Sequence, residues 1–285
     1  MNITIMDGAM GTELKPYISA ENYTTLWSAS AFLTPEGQNR ILETHKKYIQ
    51  AGATLITTNT YACTQDMLSK GNKGHKQEEW IRVACKLARD AVGESSVYVA
   101  GSLPPLKGSY RPDLVEKNEF ILKEYCTMVQ AMDNVDIILC ETMSTISEAV
   151  AAVSIARKYS SKPVWVSFTL DSETLRSGES IVSFVEAVKA DAYLINCCKP
   201  EIATLGLSIL RQKTSKMCGV YANRFKSIPL DWTLDGSGLL ERRVDLSPSQ
   251  YADYVEQWIE MGATIVGGCC GITPEYIENI KNRLH

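Results

Sequence analysis

The feature that most constrains the fold is a regular alternation of eight short segments, rich in β-branched residues, with longer segments of helical periodicity. The predicted strands cover residues 3–6, 54–59, 97–101, 135–141, 163–169, 192–198, 217–222 and 264–268. Apolar side chains recur at helical spacing in residues 35–51, 78–92, 120–132, 147–159, 180–189, 202–210 and 248–260. Residues 26–29 and the polar stretch 223–247 are predicted as loops. Eight strands that alternate with helices in one chain predict a (β/α)8 barrel.

The main structural alternative is a doubly wound open sheet, which also alternates strands with helices. A dinucleotide-binding sheet of that class carries a Gly-x-Gly-x-x-Gly turn after its first strand and an acidic residue further on, and this chain lacks that pattern. The length of 285 residues, 45% of them hydrophobic, suits a barrel, because such barrels run to about 250 residues as a single unit. We therefore predict one α/β domain, a (β/α)8 TIM barrel over residues 1–285.

The charge balance and the cysteine content restrict the partners and the compartment. A net charge of −4 and a sequence pI of about 5.6 argue against nucleic acid or an anionic membrane as a partner. No apolar run has membrane-spanning length, and the N-terminus has neither a basic region nor a cleavable hydrophobic segment, which favours a cytoplasmic protein. Nine cysteines in such a compartment indicate metal binding or buried apolar positions rather than disulfides.

Two adjacent cysteines near the C-terminus provide the first chemical signal. Residues 267–271 read Gly-Gly-Cys-Cys-Gly and follow an apolar predicted strand. Side chains alternate between the two faces of a strand, so Cys269 and Cys270 would point in opposite directions in regular strand geometry. Glycine allows the backbone to leave that geometry, because it tolerates positive φ and close approach. The motif predicts a thiol pair that holds a soft metal, with further ligands from elsewhere.

Polar residues fall at the carboxyl ends of five predicted strands. They are Asp7, Asn59, Glu141, Cys197 or Cys198, and the pair Cys269 and Cys270. In a barrel those strand ends converge on one face, which is where barrel enzymes build their sites. One such residue would mean little, but five strands that each contribute one make chance a poor explanation.

Zinc is the metal that this set of residues favours. Three thiolates bind Zn²⁺ tightly and leave a fourth position for water or substrate. The histidines His45, His75 and His285 fall in a predicted helix, a loop and the terminus, so the sequence indicates no histidine-based metal or catalytic-base site.

Ordinary structural roles are the alternative for some of these residues. Asp7 could cap a turn, and Cys269 with Cys270 could form a vicinal disulfide, which a reducing compartment disfavours. Cysteine also serves as a small apolar packing residue. We assign that role to Cys85, Cys126, Cys140 and Cys218, whereas Cys63 stays undecided, with packing in a loop favoured.

Six segments, which occur in order along nearly the whole chain, together resemble the homocysteine S-methyltransferase family. This family of zinc-dependent thiol-methylating barrels includes betaine-dependent enzymes and the first module of cobalamin-dependent methionine synthase. The segments are residues 7–14 (Asp-Gly-Ala-Met-Gly-Thr-Glu-Leu), 51–61, 141–142 (Glu-Thr), 167–168 with 176–179, 196–197 (Asn-Cys) and 267–271. The Asn-Cys and Gly-Gly-Cys-Cys segments, at about the family's spacing, are the most specific part of the resemblance.

The resemblance implies a role for each candidate site residue. Cys197, Cys269 and Cys270 would be the zinc ligands, and strand alternation should turn Cys198 away from them. Asp7 and Glu141 would bind the amino group of homocysteine, and amide groups near Gly8 and Ala9 would hold its carboxylate. Asn59 and Asn196 are further candidates for substrate binding.

The implied activity is transfer of a methyl group from a sulfonium donor, S-methylmethionine or S-adenosylmethionine, to the zinc-bound thiolate of homocysteine, which gives methionine. Zn²⁺ coordination deprotonates a thiol, so the step needs no general base. Residues 102–105 (Ser-Leu-Pro-Pro) and 222–226 (Ala-Asn-Arg-Phe-Lys) depart from the family's usual Gly-Pro and Pro-Asn-Ser-Gly-Glu turns, which bears on the donor. At 285 residues the chain is expected to lack folate, cobalamin and reactivation modules.

Several functional alternatives stay open at this point. The donor could be betaine or a methylcorrinoid, and the acceptor could be selenocysteine. A non-catalytic zinc-binding protein is a further alternative, although a metal sink has no use for the paired carboxylates Asp7 and Glu141. The sequence does not indicate an oligomeric state.

Overall fold

The computed structural model describes residues 3–116, 119–229, 231–233 and 240–284. Its strands are β1 (Thr4–Ile5), β2 (Leu55–Thr57), β3 (Tyr98–Leu103), β4 (Ile137–Met143), β5 (Val164–Phe168), β6 (Ala192–Asn196), β7 (Met217–Tyr221) and β8 (Ile265–Val266). They form one parallel sheet in the order β1-β8-β7-β6-β5-β4-β3-β2, and a parallel bridge between Met6 and Leu55 brings its two edges together. The predicted (β/α)8 barrel is confirmed.

Helices connect and cover the strands. They are α1 (Met10–Leu14), α2 (Ala20–Leu26), α3 (Pro35–Ala51), α4 (Gln65–Lys70), α5 (Gln77–Val92), α6 (Glu119–Ala131), α7 (Ile146–Tyr159), α8 (Ile181–Ala187), α9 (Pro200–Lys213), α10 (Pro248–Glu260) and α11 (Pro274–Leu284). Within the described ranges, no helix combines the length and the apolarity that crossing a membrane requires.

Helix α3 shows how local sequence sets these elements. Thr34 begins it, since its side chain accepts a hydrogen bond from Gly37 N (3.0 Å), and Pro35 occupies the first turn, where no amide donor is needed. Gly52 ends it in the left-handed region, at φ 110°. The predicted bounds 35–51 agree with the structure because both end signals are explicit in the sequence.

The apolar side chains form an inner cluster inside the barrel and a larger cluster between the strands and the helices. Adjacent residues of β4 belong to different clusters: Leu139 lies in the inner cluster and Cys140 in the outer one, because side chains alternate along a strand. Full burial of a side chain such as Leu139 stabilises the fold by about 1.5–3 kcal/mol. The inner cluster closes the barrel below its carboxyl end and leaves that end for polar residues.

The prediction of a loop at residues 26–29 is wrong. Those residues belong to α2 and to a 3-10 helix at Trp27–Leu33. Ser19 caps α2 by accepting a hydrogen bond from Asn22 N (3.3 Å), and Trp27 Nε1 donates to Tyr23 OH (2.8 Å). Such short helices bury too few apolar side chains to produce a periodic pattern, and the same reason explains why α1 and α4 were not predicted.

Two further predictions concern the C-terminal half. The loop predicted at 223–247 is described except at residue 230 and residues 234–239, and within it Phe225 and Arg242 form an antiparallel bridge. The prediction for residue 285 lies outside the described residues. Helix α11, which packs Tyr276, Ile277 and Ile280 into the core, follows β8 and was not predicted.

Candidate active site

Three cysteine thiols meet at the carboxyl end of the barrel. The Sγ atoms of Cys197, Cys269 and Cys270 all lie within 4.8 Å of one another. Cys197 and Cys269 are joined in a disulfide bond, and Cys270 Sγ lies 3.9 Å from Cys197 Sγ and 4.0 Å from Cys269 Sγ. The structure therefore differs from the expectation that the cysteines stay out of disulfides, because the ends of β6 and β8 bring two thiols to one point.

Backbone conformation, rather than strand alternation, aims Cys197. Strand β6 ends at Asn196, and Cys197 adopts the left-handed region at φ 52°. Asn223 Nδ2 stabilises this turn by donating to Cys197 O (2.8 Å). The neighbouring Cys198 packs into the outer cluster, where burial raises the pKa of its thiol to about 12. Cys198 points away from the other thiols as expected. The cause is the change of backbone direction after β6 ends at Asn196, not alternation along a strand.

The glycines before Cys269 are required by close approach. A Cβ at Gly267 would lie 2.5 Å from Met6 Cβ, and one at Gly268 would lie under 3.0 Å from the Ile272 side chain. Positive φ occurs only after the cysteine pair, at Gly271 (φ 81°). The tight packing of residues 267 and 268 against β1 and Ile272 therefore places the two thiols.

The donor set fits a tetrahedral thiophilic metal. Zn–S bonds of about 2.3 Å place tetrahedral sulfurs about 3.8 Å apart, close to the separations of Cys270 from both other thiols. Two-electron reduction of the Cys197–Cys269 disulfide would supply the other two thiolates. Cys270 is half-buried, and burial together with the nearby Glu141 raises the pKa of its thiol to about 11, so a metal would have to displace the proton.

Two buried carboxylates face the same cavity, whose volume is about 490 Å³. Asp7 accepts hydrogen bonds from Thr57 N (2.8 Å) and Thr57 Oγ1 (3.1 Å). Burial nevertheless raises the pKa of Asp7 to about 7, and the nearby Glu141 adds to the increase. Glu141 accepts from Ser102 Oγ and from Tyr221 OH (3.2 Å), and burial raises its pKa to about 7. Both groups titrate near neutral pH, which is common at functional sites.

The chain turns Glu141 inward by strand alternation. Leu139 and Glu141 share one face of β4, while Cys140 lies on the other. The register of β4 against β5 shifts between Cys140 and Met143, and Thr142 has a φ of 61°. This irregularity ends the regular strand next to the cavity, as bulges do at barrel rims.

Of the four remaining predicted substrate contacts, the structure places three at the cavity and one inside the barrel. Gly8, Ala9 and Asn59 line the cavity. The amide of Ala9 already donates to Ile272 O (3.0 Å), so Ala9 cannot offer that group to a carboxylate, and Gly8 remains the candidate. Asn59 Nδ2 donates to Ser28 O (3.1 Å). Asn196 is not among the cavity residues, because its side chain is bonded to Thr142 and Ser167 inside the barrel, which corrects its assignment as a substrate contact.

Aromatic side chains form much of the cavity wall, which the sequence analysis missed. The aromatic residues of this wall are Tyr23, Trp27, Tyr61, Tyr110, Tyr221, Phe225 and Trp232. Ring centroids lie 5.9 Å apart in the pair Trp27–Tyr61 and 5.6 Å apart in Tyr110–Trp232. Aromatic faces attract cations, and Lys15 and Arg242 line the same cavity. The position of Tyr61, two residues after Asn59, was the available sequence signal.

Comparisons with known proteins agree with this site. The family model described as homocysteine S-methyltransferase matches residues 4–284. The homocysteine S-methyltransferase of Escherichia coli (strain K12) is 30% identical over 99% of this chain and 95% of its own length. The selenocysteine methyltransferase of Astragalus bisulcatus is 28% identical over 97% and 90%. The crystal structure of the homocysteine methyltransferase MmuM from Escherichia coli, in its metallated form, matches with a TM-score of 0.82 and 30% identity over 99% of this chain and 96% of that chain.

The barrel, its cavity and these matches define the class of protein: the chain is an S-methyltransferase built on a (β/α)8 barrel. The similar enzyme has been solved in a metallated form, and the cysteine cluster of this chain could hold a metal ion. The chain belongs to the homocysteine S-methyltransferase family.

Proposed function

We propose that this chain transfers a methyl group from a sulfonium donor to homocysteine and produces methionine, with Zn²⁺ held by the reduced thiols of Cys197, Cys269 and Cys270. The observation that carries the proposal is the convergence of these thiols and two buried carboxylates on one cavity. The thiols can bind the sulfur end of the substrate through a metal, and Asp7 with Glu141 can bind its ammonium group.

The two ends of homocysteine match the two kinds of group. When bound, Zn²⁺ deprotonates the acceptor thiol and presents it as a thiolate. Asp7 and Glu141 offer carboxylate oxygens to the ammonium group, and Gly8 is the candidate for the carboxylate. These contacts position the sulfur of homocysteine toward the open part of the cavity, which is the main contribution that a protein makes to a two-substrate displacement.

The transfer step balances without an acid or a base. The thiolate sulfur forms a bond to the methyl carbon while the bond from that carbon to the donor's sulfonium sulfur breaks, and its electron pair returns to the donor. A thiolate and a sulfonium ion become two neutral thioethers. The aromatic wall, including Trp27 and Tyr61, suits a cationic donor, since a desolvated cation over such a ring gains up to about 2 kcal/mol.

Selenocysteine is a second candidate acceptor, because one of the similar enzymes is a selenocysteine methyltransferase. The site chemistry would be the same, with a selenolate in place of the thiolate. Rates of methylation of homocysteine and selenocysteine by the same zinc-loaded preparation would decide between the two acceptors.

Zinc content and activity test the metal part of the proposal. The reduced protein, purified without chelator, should contain about one Zn²⁺ per chain. Cys197→Ala, Cys269→Ala and Cys270→Ala should each lose metal and activity. Cys198→Ala is the matched control, because Cys198 is the sequence neighbour of a ligand but packs in the outer cluster. Loss of zinc from Cys198→Ala with retention in Cys197→Ala would contradict the assignment.

The donor is tested by offering S-methylmethionine, S-adenosylmethionine, betaine and methylcorrinoid separately with homocysteine. We expect S-methylmethionine to support more methionine formation than betaine, since the acceptor site already recognises an amino acid. Activity with methylcorrinoid alone would reject the free-sulfonium donor and leave the thiolate mechanism intact.

A further inference from the structure

Tyr221 links the carboxylate Glu141 to the interior of the barrel. Its hydroxyl lies 3.2 Å from Glu141 Oε2 and 2.5 Å from Ser167 Oγ. Ser102 Oγ donates to the other carboxylate oxygen, Glu141 Oε1. Four strands, β3, β4, β5 and β7, therefore place one side chain each in this chain of contacts.

The same contacts continue to the residue that precedes Cys197. Ser167 Oγ donates to Asn196 Oδ1 (3.0 Å), and Asn196 Nδ2 donates to Thr142 Oγ1 (2.8 Å). Thr142 N donates back to Ser167 Oγ (3.1 Å). All of these side chains are buried, and Ser102, Ser167 and Asn196 do not line the cavity, so these three cannot exchange their partners for bulk water.

Counting protons assigns the state of Glu141. Four contacts in this network have a hydroxyl on one side and an oxygen acceptor on the other, and each needs one proton. They are Ser102–Glu141, Tyr221–Glu141, Tyr221–Ser167 and Ser167–Asn196. The hydroxyls of Ser102, Tyr221 and Ser167 supply three, because the amide protons of Asn196 point to Thr142. A proton on Glu141, donated to Tyr221 OH, satisfies all four contacts. Tyr221 can then donate to Ser167, and Ser167 to Asn196.

We propose that Tyr221 is a positioning residue for the ammonium-binding carboxylate, and that the network it completes keeps one proton on Glu141 until the ammonium group of homocysteine binds. The inference rests on the proposed function, since it assumes that Glu141 receives that group. When Glu141 ionises, the Tyr221 hydroxyl donates to Glu141 instead of to Ser167. Ser167 must then donate to Tyr221, which leaves the amide oxygen of Asn196 without its donor. The positive charge of the bound ammonium group offsets this lost hydrogen bond, because it stabilises the ionised form of Glu141.

The electrostatic surroundings agree with a neutral Glu141. The titratable groups that interact with it from neighbouring elements are Asp7, Tyr61, Cys140, Tyr221 and Cys270. None of these is a cation. The basic groups of the cavity wall are Lys15 and Arg242. Burial raises the pKa of Glu141 to about 7, although the hydrogen bond from Ser102 opposes that increase.

The test uses Tyr221→Phe in the zinc-loaded protein, with Tyr193→Phe as the matched control. Tyr193 is also a buried tyrosine of a barrel strand, but its hydroxyl donates to Val188 O (2.6 Å), away from the cavity. We expect KM for homocysteine to rise about 10-fold in Tyr221→Phe, with kcat changed less than about 2-fold and zinc retained. Equal KM in wild type and Tyr221→Phe would overturn the positioning role.

Infrared difference spectroscopy measures the proton directly. The spectrum of the substrate-free wild type at pH 6 minus that of Glu141→Gln should contain the C=O stretch of one protonated carboxyl, and homocysteine binding should remove this band. In Tyr221→Phe its pH midpoint should fall by roughly one unit, because the hydroxyl that accepts the proton of the neutral carboxyl has been removed. Absence of this band from the wild type at pH 6 would overturn the proton assignment.

A second variant covers the case in which Tyr221→Phe does not fold. Ser167→Ala interrupts the network without touching the cavity wall, and it should shift the same midpoint while retaining zinc. Unchanged midpoints in Ser167→Ala would also overturn the network. If wild-type protein binds no homocysteine while the band is present at pH 6 and its midpoint shifts in Tyr221→Phe, the proposed function falls and the proton on Glu141 stands.

Discussion

Asp7→Asn should stabilise the substrate-free protein and weaken homocysteine binding at the same time. Asp7 is buried, and its carboxyl has a pKa raised from 3.8 to about 7, chiefly by burial. The unfolded chain therefore loses this proton at lower pH than the folded chain does. The contribution of Asp7 to stability should therefore fall as pH rises from about 4 to about 7 and then level off, at a total cost of roughly 4 kcal/mol.

The substitution removes that cost but keeps the local contacts. The new amide oxygen can accept from Thr57 N, and the amide nitrogen can donate to Thr57 Oγ1, so both present hydrogen bonds have a counterpart. The stability gain over wild type should be larger at pH 8 than at pH 5 by roughly 3 kcal/mol. The loss of a charged partner for the ammonium group should weaken homocysteine binding about 10- to 150-fold above pH 7.

Urea unfolding of the reduced, zinc-free protein at the two pH values measures the first effect, and calorimetric titration of the zinc-loaded protein with homocysteine measures the second. Asp191→Asn is the matched control, because Asp191 also accepts a backbone hydrogen bond, from Val164 N (2.8 Å). Burial acts to raise its pKa, but that bond and Arg157 lower it, so this control should lose stability. A stability difference between Asp7→Asn and wild type that is the same at pH 5 and pH 8 would refute the reasoning about Asp7.

Three further predictions concern the carboxylate partner, a buried histidine and the glycine turn. Glu141→Gln should keep zinc but bind homocysteine about 10- to 150-fold more weakly in calorimetry, and unchanged binding would reassign Glu141 to a structural role. His45 is fully buried, and burial lowers its pKa to about 3, so its contribution to stability should fall by roughly 2–3 kcal/mol as pH drops from 6.5 to 4.5. His45→Leu should remove that part of the fall in urea unfolding, and an identical pH dependence would contradict it. Gly268→Ala should reduce zinc content, because the added methyl overlaps the Ile272 side chain and displaces Cys269; full zinc occupancy would show that the turn can relax.

Local signals in the sequence predicted much of the fold. Short β-branched segments, periodic helices and explicit end residues such as Thr34 and Gly52 act over a few residues, and the predicted barrel depends only on their order. The short helices around residues 10–33 were missed, because their stability comes from packing against α3 and the barrel rather than from a pattern of their own.

The sequence by itself determined which residue types stand at the strand ends, because a βα unit repeats and places Asp7, Glu141, Cys197 and the Cys269–Cys270 pair at the same point of each repeat. Only the tertiary structure decided what each side chain contacts. Ala9 gives its amide to Ile272, and Asn196 turns into the barrel instead of the cavity. Tyr221 reaches Glu141 across 80 residues of chain, a partnership that depends on barrel closure and leaves no mark in local sequence.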